Sequence, residues 1–287
     1  MRIDGDLAIV YNPLAMATLY LVATPIGNLE DISQRAIRIL GEVKLIAAED
    51  TRRTRQLLAA IGIRKPLTSY HEHNRKSKLP NLLQRLEQED VALVSDAGMP
   101  GVSDPGYELV KGAIECGVTV IAIPGPSVLP TALAVSGLPV NQFVYVGFLP
   151  RKKGERRRLL GSIDAERRTI IAFEVPHRLL VSLKDVEEML GDRRIAVCRE
   201  LTKVHEEVFR GTVSQAIAHF SQPRGEFTLV IEGYGQSEKE ADITDSVRKE
   251  LNKLRREGVP AREAVAQLAG VTGIAKNALY KAWLGLP

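Results

Sequence analysis

Ala92–Gly106 reads ALVSDAGMPGVSDPG: an apolar run that stops at Ser95 and Asp96 and then passes through two turn-forming clusters in succession. A single Gly or Pro supplies the backbone angles of a solvent turn, so a second cluster directly after a buried strand marks a loop shaped around a ligand. Outward from this stretch, short β-branched apolar runs alternate with helical patterns, the sign of βαβ units and a parallel sheet. LYLVATP (Leu19–Pro25), KLIAAED (Lys44–Asp50), VALVSDA (Val91–Ala97) and VTVIAIPG (Val118–Gly125) read as strands. SQRAIRILGEV, TRRTRQLLAAIG, SKLPNLLQRLEQ and YELVKGAIECG read as helices between them. ATPIGN, SDAGMPG and IPGPS fall at strand ends, where open α/β sheets hold their ligands.

A helix is expected from Ser127 to about Ser136, with Pro130 in its first turn, and then the pattern changes. FVYVGFL, TIIAFEV, RIAVCREL and FTLVIEG read as strands of a mixed sheet, with LVSLKDVEEML and a shorter VSQAIAHF as helices. The tail AVAQLAGVTGIAKNALYKAWL resembles a helix-turn-helix with Gly270 to Gly273 as the turn. The expected organisation is a flexible extension over residues 1–17, an α/β domain over 18–136, a second α/β domain over 137–235, and a small helical domain over 241–287.

The chain has 287 residues, 45% of them hydrophobic, enough for a sizeable core. Its 39 Lys+Arg against 35 Asp+Glu give a formal charge of +4, a balance that favours acidic partners without naming one. RKKGERRR (Arg151–Arg158) concentrates that charge, and two readings stay open: phosphate neutralisation or a solvated linker. Residues 241–287 hold eight Lys/Arg against five Asp/Glu. Cys116 and Cys198 are far apart and outside any C-x-x-C spacing, so neither a disulfide framework nor a zinc site is implied and a reducing cytoplasm fits. No run approaches the roughly 18 apolar residues of a membrane span, and the first residues lack the basic start and long apolar core of a signal peptide.

The glycine loops invite a nucleotide, yet no G-x-G-x-x-G follows the first strand and no G-x-x-x-x-G-K-[ST] occurs. A nicotinamide enzyme or P-loop ATPase is therefore not expected. A Gly-x-Pro-Gly loop brings backbone N–H and C=O groups close to a ligand, which suits a ribose, an adenine edge and an amino-acid end. S-adenosylmethionine is such a ligand.

TLYLVATPIGNLEDIS, AAEDTRRTRQLL, SYHEHN, LVSDAGMPGVSDPG, IPGPS, FEVPHRL, CRELTKVHEEVFRGT and GEFTLVIEG occur in this order between Thr18 and Gly233. Together they resemble the tetrapyrrole methylase superfamily, in its branch of 16S ribosomal RNA cytidine 2′-O-methyltransferases. The resemblance implies two α/β domains with S-adenosylmethionine between them, a homodimer, and methylation of a ribose hydroxyl in the decoding region of 16S rRNA, free or within the small ribosomal subunit. The superfamily's Gly-Asp-Pro cofactor loop stands here as Ser95-Asp96-Ala97, a departure that weakens transfer of contacts from the tetrapyrrole enzymes. By this resemblance Asp96 contacts the cofactor, and Gly98, Met99, Pro100 and Gly101 supply backbone and wall. Ser127 matches a Pro-Gly-x-Ser position that caps a helix and faces the cofactor. Pro25 is a cleft position, and Phe173 to Val175 and Thr228 align with strands closing over the adenosine.

Methyl transfer to a hydroxyl is an in-line displacement, so the protein must mainly position its reactants, and a base or cationic neighbours should assist ionisation of the hydroxyl. Glu49, Asp50, His71, Glu200 and Lys203 are the candidates for that role. Asp50 also reads as a helix cap. Without a third ligand at suitable spacing, His71 and His73 do not make a metal site. Arg52, Arg53, Arg55 and Arg75 suit phosphates, as do Arg151, Lys152 and Lys153, and Tyr70 suits stacking on a splayed base. Two other classes stay open: a methylase of tetrapyrroles or other small molecules, and a ribosome-binding factor without transfer activity.

Overall fold

The computed structural model describes residues 17–235, 245–272, 274 and 276–285. The extension expected over residues 1–17 lies outside them except for its last residue. The first sheet comprises β1 (Thr18–Val22), β2 (Leu45–Ala48), β3 (Leu67–Ser69), β4 (Val91–Val94) and β5 (Thr119–Ile123), all parallel in the order β3-β2-β4-β1-β5. The four residues of β4 are all buried because helices cover both faces of a parallel sheet. Leu19, Ala47 and Leu93 enter one core with Leu82, Leu86 and Leu109, while Val22, Ile46 and Val94 enter the other with Ile39, Leu40 and Leu58.

The covering helices are α1 (Gln34–Glu42), α2 (Thr51–Ala60), α3 (Arg75–Arg85) and α4 (Tyr107–Glu115). In α1 the Ser33 hydroxyl accepts from the Ala36 N–H, and Ala36, Ile39 and Leu40 fall on one buried stripe. β3 was absent from the sequence reading: three residues, LTS, give no periodicity, and only their place beside β2 makes them a strand.

α5 (Val128–Ser136) leads to the second sheet of β6 (Phe143–Phe148), β7 (Thr169–Glu174), β8 (Arg194–Arg199), β9 (Glu207–Thr212) and β10 (Phe227–Ile231). Their order is β6-β7-β10-β8-β9, with β6–β7 parallel and the other pairs antiparallel. β9, EVFRGT, had also gone unread, since it is an edge strand of half-buried residues interleaved with charge. Ala132 and Leu133 of α5 pack with Ile171, Ala196, Cys198 and Val230, so the last helix assigned to the first domain seals the second sheet.

α6 (Lys153–Ser162), α7 (Leu179–Leu190) and α8 (Val213–His219) cover the other face. RKKGERRR is therefore not a linker. Arg156 is 4% exposed and donates to Asp185 Oδ2 through both Nε (2.8 Å) and a terminal nitrogen (2.5 Å). Arg157 bonds Asp185 and pairs with Glu188, so two of the six basic residues of the run pin α6 to α7. A last unit of α9 (Asp245–Arg256), α10 (Ala261–Thr272) and α11 (Lys276–Leu284) has its own core of Leu251, Ala264, Val265, Leu268, Leu279 and Trp283. Gly270 lies inside α10, which corrects the turn expected at Gly270; Gly273 lies outside the described residues.

Candidate active site

The carboxyl ends of β1, β2, β4 and β5 meet the second sheet around a cavity of about 270 Å³. The loop after β4 is fastened to the chain after β1. Thr24 and Gly98 exchange backbone hydrogen bonds of 2.9 and 3.0 Å, and the Thr24 hydroxyl donates to the Ser95 carbonyl. Gly98 (φ 85°) and Gly101 (φ 83°) take backbone angles closed to most residues, which turns the loop into the cleft. A Cβ on Gly106 would lie 2.9 Å from Gly101 Cα, so the second turn cluster folds back on the first.

Three carboxylates line the cavity on this side: Glu49, Asp96 and Asp104. Glu49 Oε2 accepts from the Asp96 N–H (3.2 Å), and Asp96 Oδ1 accepts from the Asp50 N–H (3.0 Å) and pairs through Oδ2 with Arg53 (3.2 Å). Burial raises Glu49 above the ordinary carboxylate value, helped by the Asp96 charge and opposed by the Asp96 amide and Arg53. Asp104 is pushed up to about 7, by burial first, then by the charges of Glu49 and Asp96, against the pull of the Ser95 hydroxyl.

The opposite wall is aromatic and mixed. Phe173 contacts Tyr145 (centroids 5.1 Å) and Phe148 (5.3 Å), and Phe148 stands 54% exposed at the rim. The Tyr145 hydroxyl shares a hydrogen with Ser103, joining the two halves. Further round, Lys203 bridges Glu200 (3.0 Å) and Glu226 (2.8 Å), while Glu200 also accepts from the Glu226 N–H. Burial alone would raise Glu200, but the Glu226 amide and Lys203 together hold it below its ordinary value.

Of the predicted cofactor residues, Asp96, Gly98, Met99, Ser127, Phe173, Val175 and Thr228 line the cavity. Pro25, Pro100 and Gly101 belong to the same loops but stand outside the lining. Ser127 sits at the N-cap of α5, yet its hydroxyl makes no capping bond, contrary to the capping role expected of it. Of the candidate bases, Glu49, Glu200 and Lys203 reach the cavity. Asp50 does not: it caps α2 through the Arg52 N–H (2.8 Å) and binds the Arg52 side chain, which holds its carboxyl well below the usual range. His71 also lies outside the lining, with its backbone N–H bonded to Asn74.

The RNA candidates separate in the same way. Tyr70 is 0% exposed, which corrects its assignment as a stacking surface. Arg75 is engaged by Glu72 (2.8 Å) and Glu108 (2.5 Å), Arg52 by Asp50, and Lys152 by Glu155 (3.1 Å). Arg53 reaches the cavity rim. Arg151 and Lys153 are exposed, and Arg55 lines a surface groove with Arg64 and Lys65 in which no acid takes part. Sequence reasoning had missed Ser103, Asp104, Tyr145 and Phe148. The second Ser-Asp pair, in Ser103-Asp104-Pro105-Gly106, was the available signal for the first two.

The donor set fits S-adenosylmethionine. Ile26, Met99, Val102, Leu129 and Phe173 offer apolar walls for an adenine and a thioether chain, the acids suit a sulfonium and an ammonium, and among the described residues the only cations in the lining, Arg53 and Lys203, are paired with acids. Asp96, Gly98, Met99, Ser127, Phe173 and Thr228 are the residues that would hold it.

The family model for tetrapyrrole (corrin/porphyrin) methylases matches residues 18–217. In fold the chain is similar to a diphthine synthase (TM-score 0.59, 15% identity, 75% of this chain and 90% of that one). It is also similar to uroporphyrin-III-C-methyltransferase from Thermus thermophilus (TM-score 0.53, 19% identity, 75% and 94%). Fold and cleft thus define a methylase of the tetrapyrrole methylase class. Sequence similarity goes further. Ribosomal RNA small subunit methyltransferase I of Synechocystis sp. is 47% identical over 275 residues, 94% of this chain and 99% of that relative. Its namesake of Escherichia coli O157:H7 is 44% identical over 92% and 93%, and that of Thermotoga maritima 52% identical over 76% and 99%. The chain belongs to the ribosomal RNA small subunit methyltransferase I family.

Proposed function

We propose that this chain methylates the 2′-hydroxyl of a cytidine in the decoding region of 16S rRNA, using S-adenosylmethionine, in the cytoplasm and as a homodimer. The observation that carries the reading is the cavity whose acidic first-sheet side faces an aromatic second-sheet side, in a chain similar over nearly its whole length to small-subunit rRNA methyltransferases. When bound, S-adenosylmethionine supplies a methyl group on a cationic sulfur.

The chain's own work is to bind, orient and exclude water. Asp96, fixed by Arg53 and the Asp50 amide, presents a carboxylate at a set position, and Phe173 with Thr228 closes the far side. Holding a hydroxyl oxygen in line at about 3–3.5 Å from the carbon it attacks removes roughly 7–11 kcal/mol of barrier through entropy already lost in binding. Phe148 at the rim offers a ring to an unstacked base. Arg55, Arg64, Lys65, Arg151 and Lys153, which form no ion pair among the described residues, favour a large polyanion over a small porphyrin-like substrate.

Separate cores support functional units at 18–136, 137–235 and 241–287, with α5 shared between the first two. The Thermotoga maritima relative, aligned over 99% of itself, corresponds to only 76% of this chain, which supports a methyltransferase unit that excludes about a quarter of it. Exposed Val140 and Phe143 beside the free edge of β6 support the dimer. Among the described residues no helix is long and apolar enough to cross a membrane.

Incubation with methyl-labelled S-adenosylmethionine tests the proposal on small ribosomal subunits, naked 16S rRNA and uroporphyrinogen in parallel. Label in a cytidine ribose of the RNA is expected. Label in the porphyrinogen alone makes the chain a small-molecule methylase, and label in none makes it a binding factor.

A further inference from the structure

We infer that Asp104 is the proton acceptor for the ribose hydroxyl, an assignment that rests on the RNA methyltransferase reading above. Three carboxylates line the first-sheet side of the cavity: one is held by a cation, one is tied to a backbone amide, and Asp104 has only the rotatable Ser95 hydroxyl beside it. Glu49 accepts from the Asp96 amide, and Asp96 is held by the Asp50 amide and Arg53. Across the cleft, Glu200 is neutralised by Lys203, which also binds Glu226. Asp104 forms no ion pair among the described residues, and Tyr145 from β6 reaches its neighbour Ser103 instead. A base must be ionised at the moment of reaction and gain by becoming neutral, which a carboxylate balanced by a guanidinium or ammonium does not.

The position is also fixed. Ser103 holds a positive φ of 72° and bonds Tyr145 of the second sheet, while Gly106 packs on Gly101. The segment carrying Asp104 is thereby clamped between the cofactor loop and the opposite wall, with Asp104 in the cavity lining. Burial and the nearby Glu49 and Asp96 charges hold this carboxyl at about 7, near the working pH at which a general base is most effective.

The step balances. The 2′-O–H bond breaks, its proton passes to an Asp104 carboxylate oxygen, and its electron pair stays on the oxygen, which takes the methyl group while the pair of the broken carbon–sulfur bond stays on sulfur. No further reactant is needed.

Asp104→Asn tests the assignment against wild type and Asp104→Glu. Wild-type single-turnover methylation of small subunits is expected to rise with pH and level off above about 7. Asp104→Asn is expected to be at least about 100-fold slower, with a rate that climbs through pH 9 as hydroxide substitutes for the base. Calorimetric affinity for S-adenosylhomocysteine and binding of subunits should stay within threefold of wild type, and Asp104→Glu should recover part of the rate together with a plateau. A rate within threefold of wild type, an unchanged pH profile, or a loss of rate matched by an equal loss of S-adenosylhomocysteine affinity overturns the assignment while leaving the RNA methyltransferase reading intact. Absence of RNA methylation by wild type overturns that reading and the assignment with it.

Discussion

Glu49 and Asp96 each hold the other's strand end in place: Glu49 Oε2 takes the Asp96 N–H at 3.2 Å, and Asp96 Oδ1 takes the N–H of Asp50, the next residue after Glu49. The tips of β2 and β4 are thus cross-linked by two side-chain-to-backbone bonds, and the cofactor loop starts from a fixed point. Replacing Asp96 by Ala removes a cavity carboxylate, leaves the Asp50 amide without its acceptor and frees Arg53. Losing a charge-assisted bond of this kind costs about 1.5–3 kcal/mol. Asp96→Ala is expected to weaken S-adenosylhomocysteine at least tenfold by calorimetry; unchanged affinity would remove Asp96 from the cofactor site.

Gly27 lies where the loop after β1 meets the turn after β8. A Cβ there would stand 2.4 Å from Lys203 Cγ, 2.8 Å from the Thr202 hydroxyl and 3.0 Å from the Leu201 carbonyl. The lysine stem can move but the carbonyl is backbone, so Gly27→Ala is expected to push the two walls apart. The expected cost is about 1–3 kcal/mol in urea unfolding, with weaker cofactor binding alongside. A variant with wild-type midpoint and affinity would mean that this contact does not set the cleft.

The parallel first sheet was legible because buried strands ending in Gly and Pro clusters carry a local signature, and Asp96, Gly98 and Met99 came with it. What escaped has non-local causes. β3 and β9 are strands only by virtue of a neighbour. Tyr70 looked like a loop aromatic, yet helices α3 and α4 bury it. Arg156 looked like part of a phosphate-binding run, while its partner Asp185 is 29 residues away. Asp104 became notable only when folding placed it beside Glu49, from a strand tip 55 residues earlier in the chain.

Asp104 also leaves a mark on stability. Its pKa is 3.8 when unfolded and about 7 when folded, so between those values the folded chain binds more protons and stability falls as pH rises. The cost is complete above about 7 and absent below 3.8. Because the group is partly exposed, the difference is expected to be about 1–3 kcal/mol, short of the full linkage value. Asp104→Asn should therefore stabilise the fold at pH 8 and have a smaller effect at pH 5 in matched urea melts. Equal effects at both pH values would contradict the burial of this carboxyl.

The basic run divides into cations held by Asp185 and cations exposed on the surface. Asp185, 5% exposed, neutralises Arg156 and Arg157, so Asp185→Ala strands a buried guanidinium. About 3–5 kcal/mol of destabilisation is expected, visible as a lowered unfolding midpoint. A combined Arg151→Ala, Lys153→Ala variant should unfold as wild type does, since neither side chain is buried. If the double variant were the unstable one, the division would be wrong.

The groove of Arg55, Arg64 and Lys65 makes a separate claim on RNA. It lies along the end of α2 and the start of β3 at the edge of the first sheet, apart from the cavity residues. Reversing these charges should leave S-adenosylhomocysteine affinity as it was and weaken binding to small subunits. Each phosphate contact releases counterions and contributes about 0.7–0.9 to the slope of log affinity against log salt. Arg55→Glu with Lys65→Glu is therefore expected to lower that slope by about 1.4–1.8 if both cations meet phosphates. An unaltered slope would leave the groove outside the RNA footprint, with recognition left to the cavity rim and to Arg151 and Lys153.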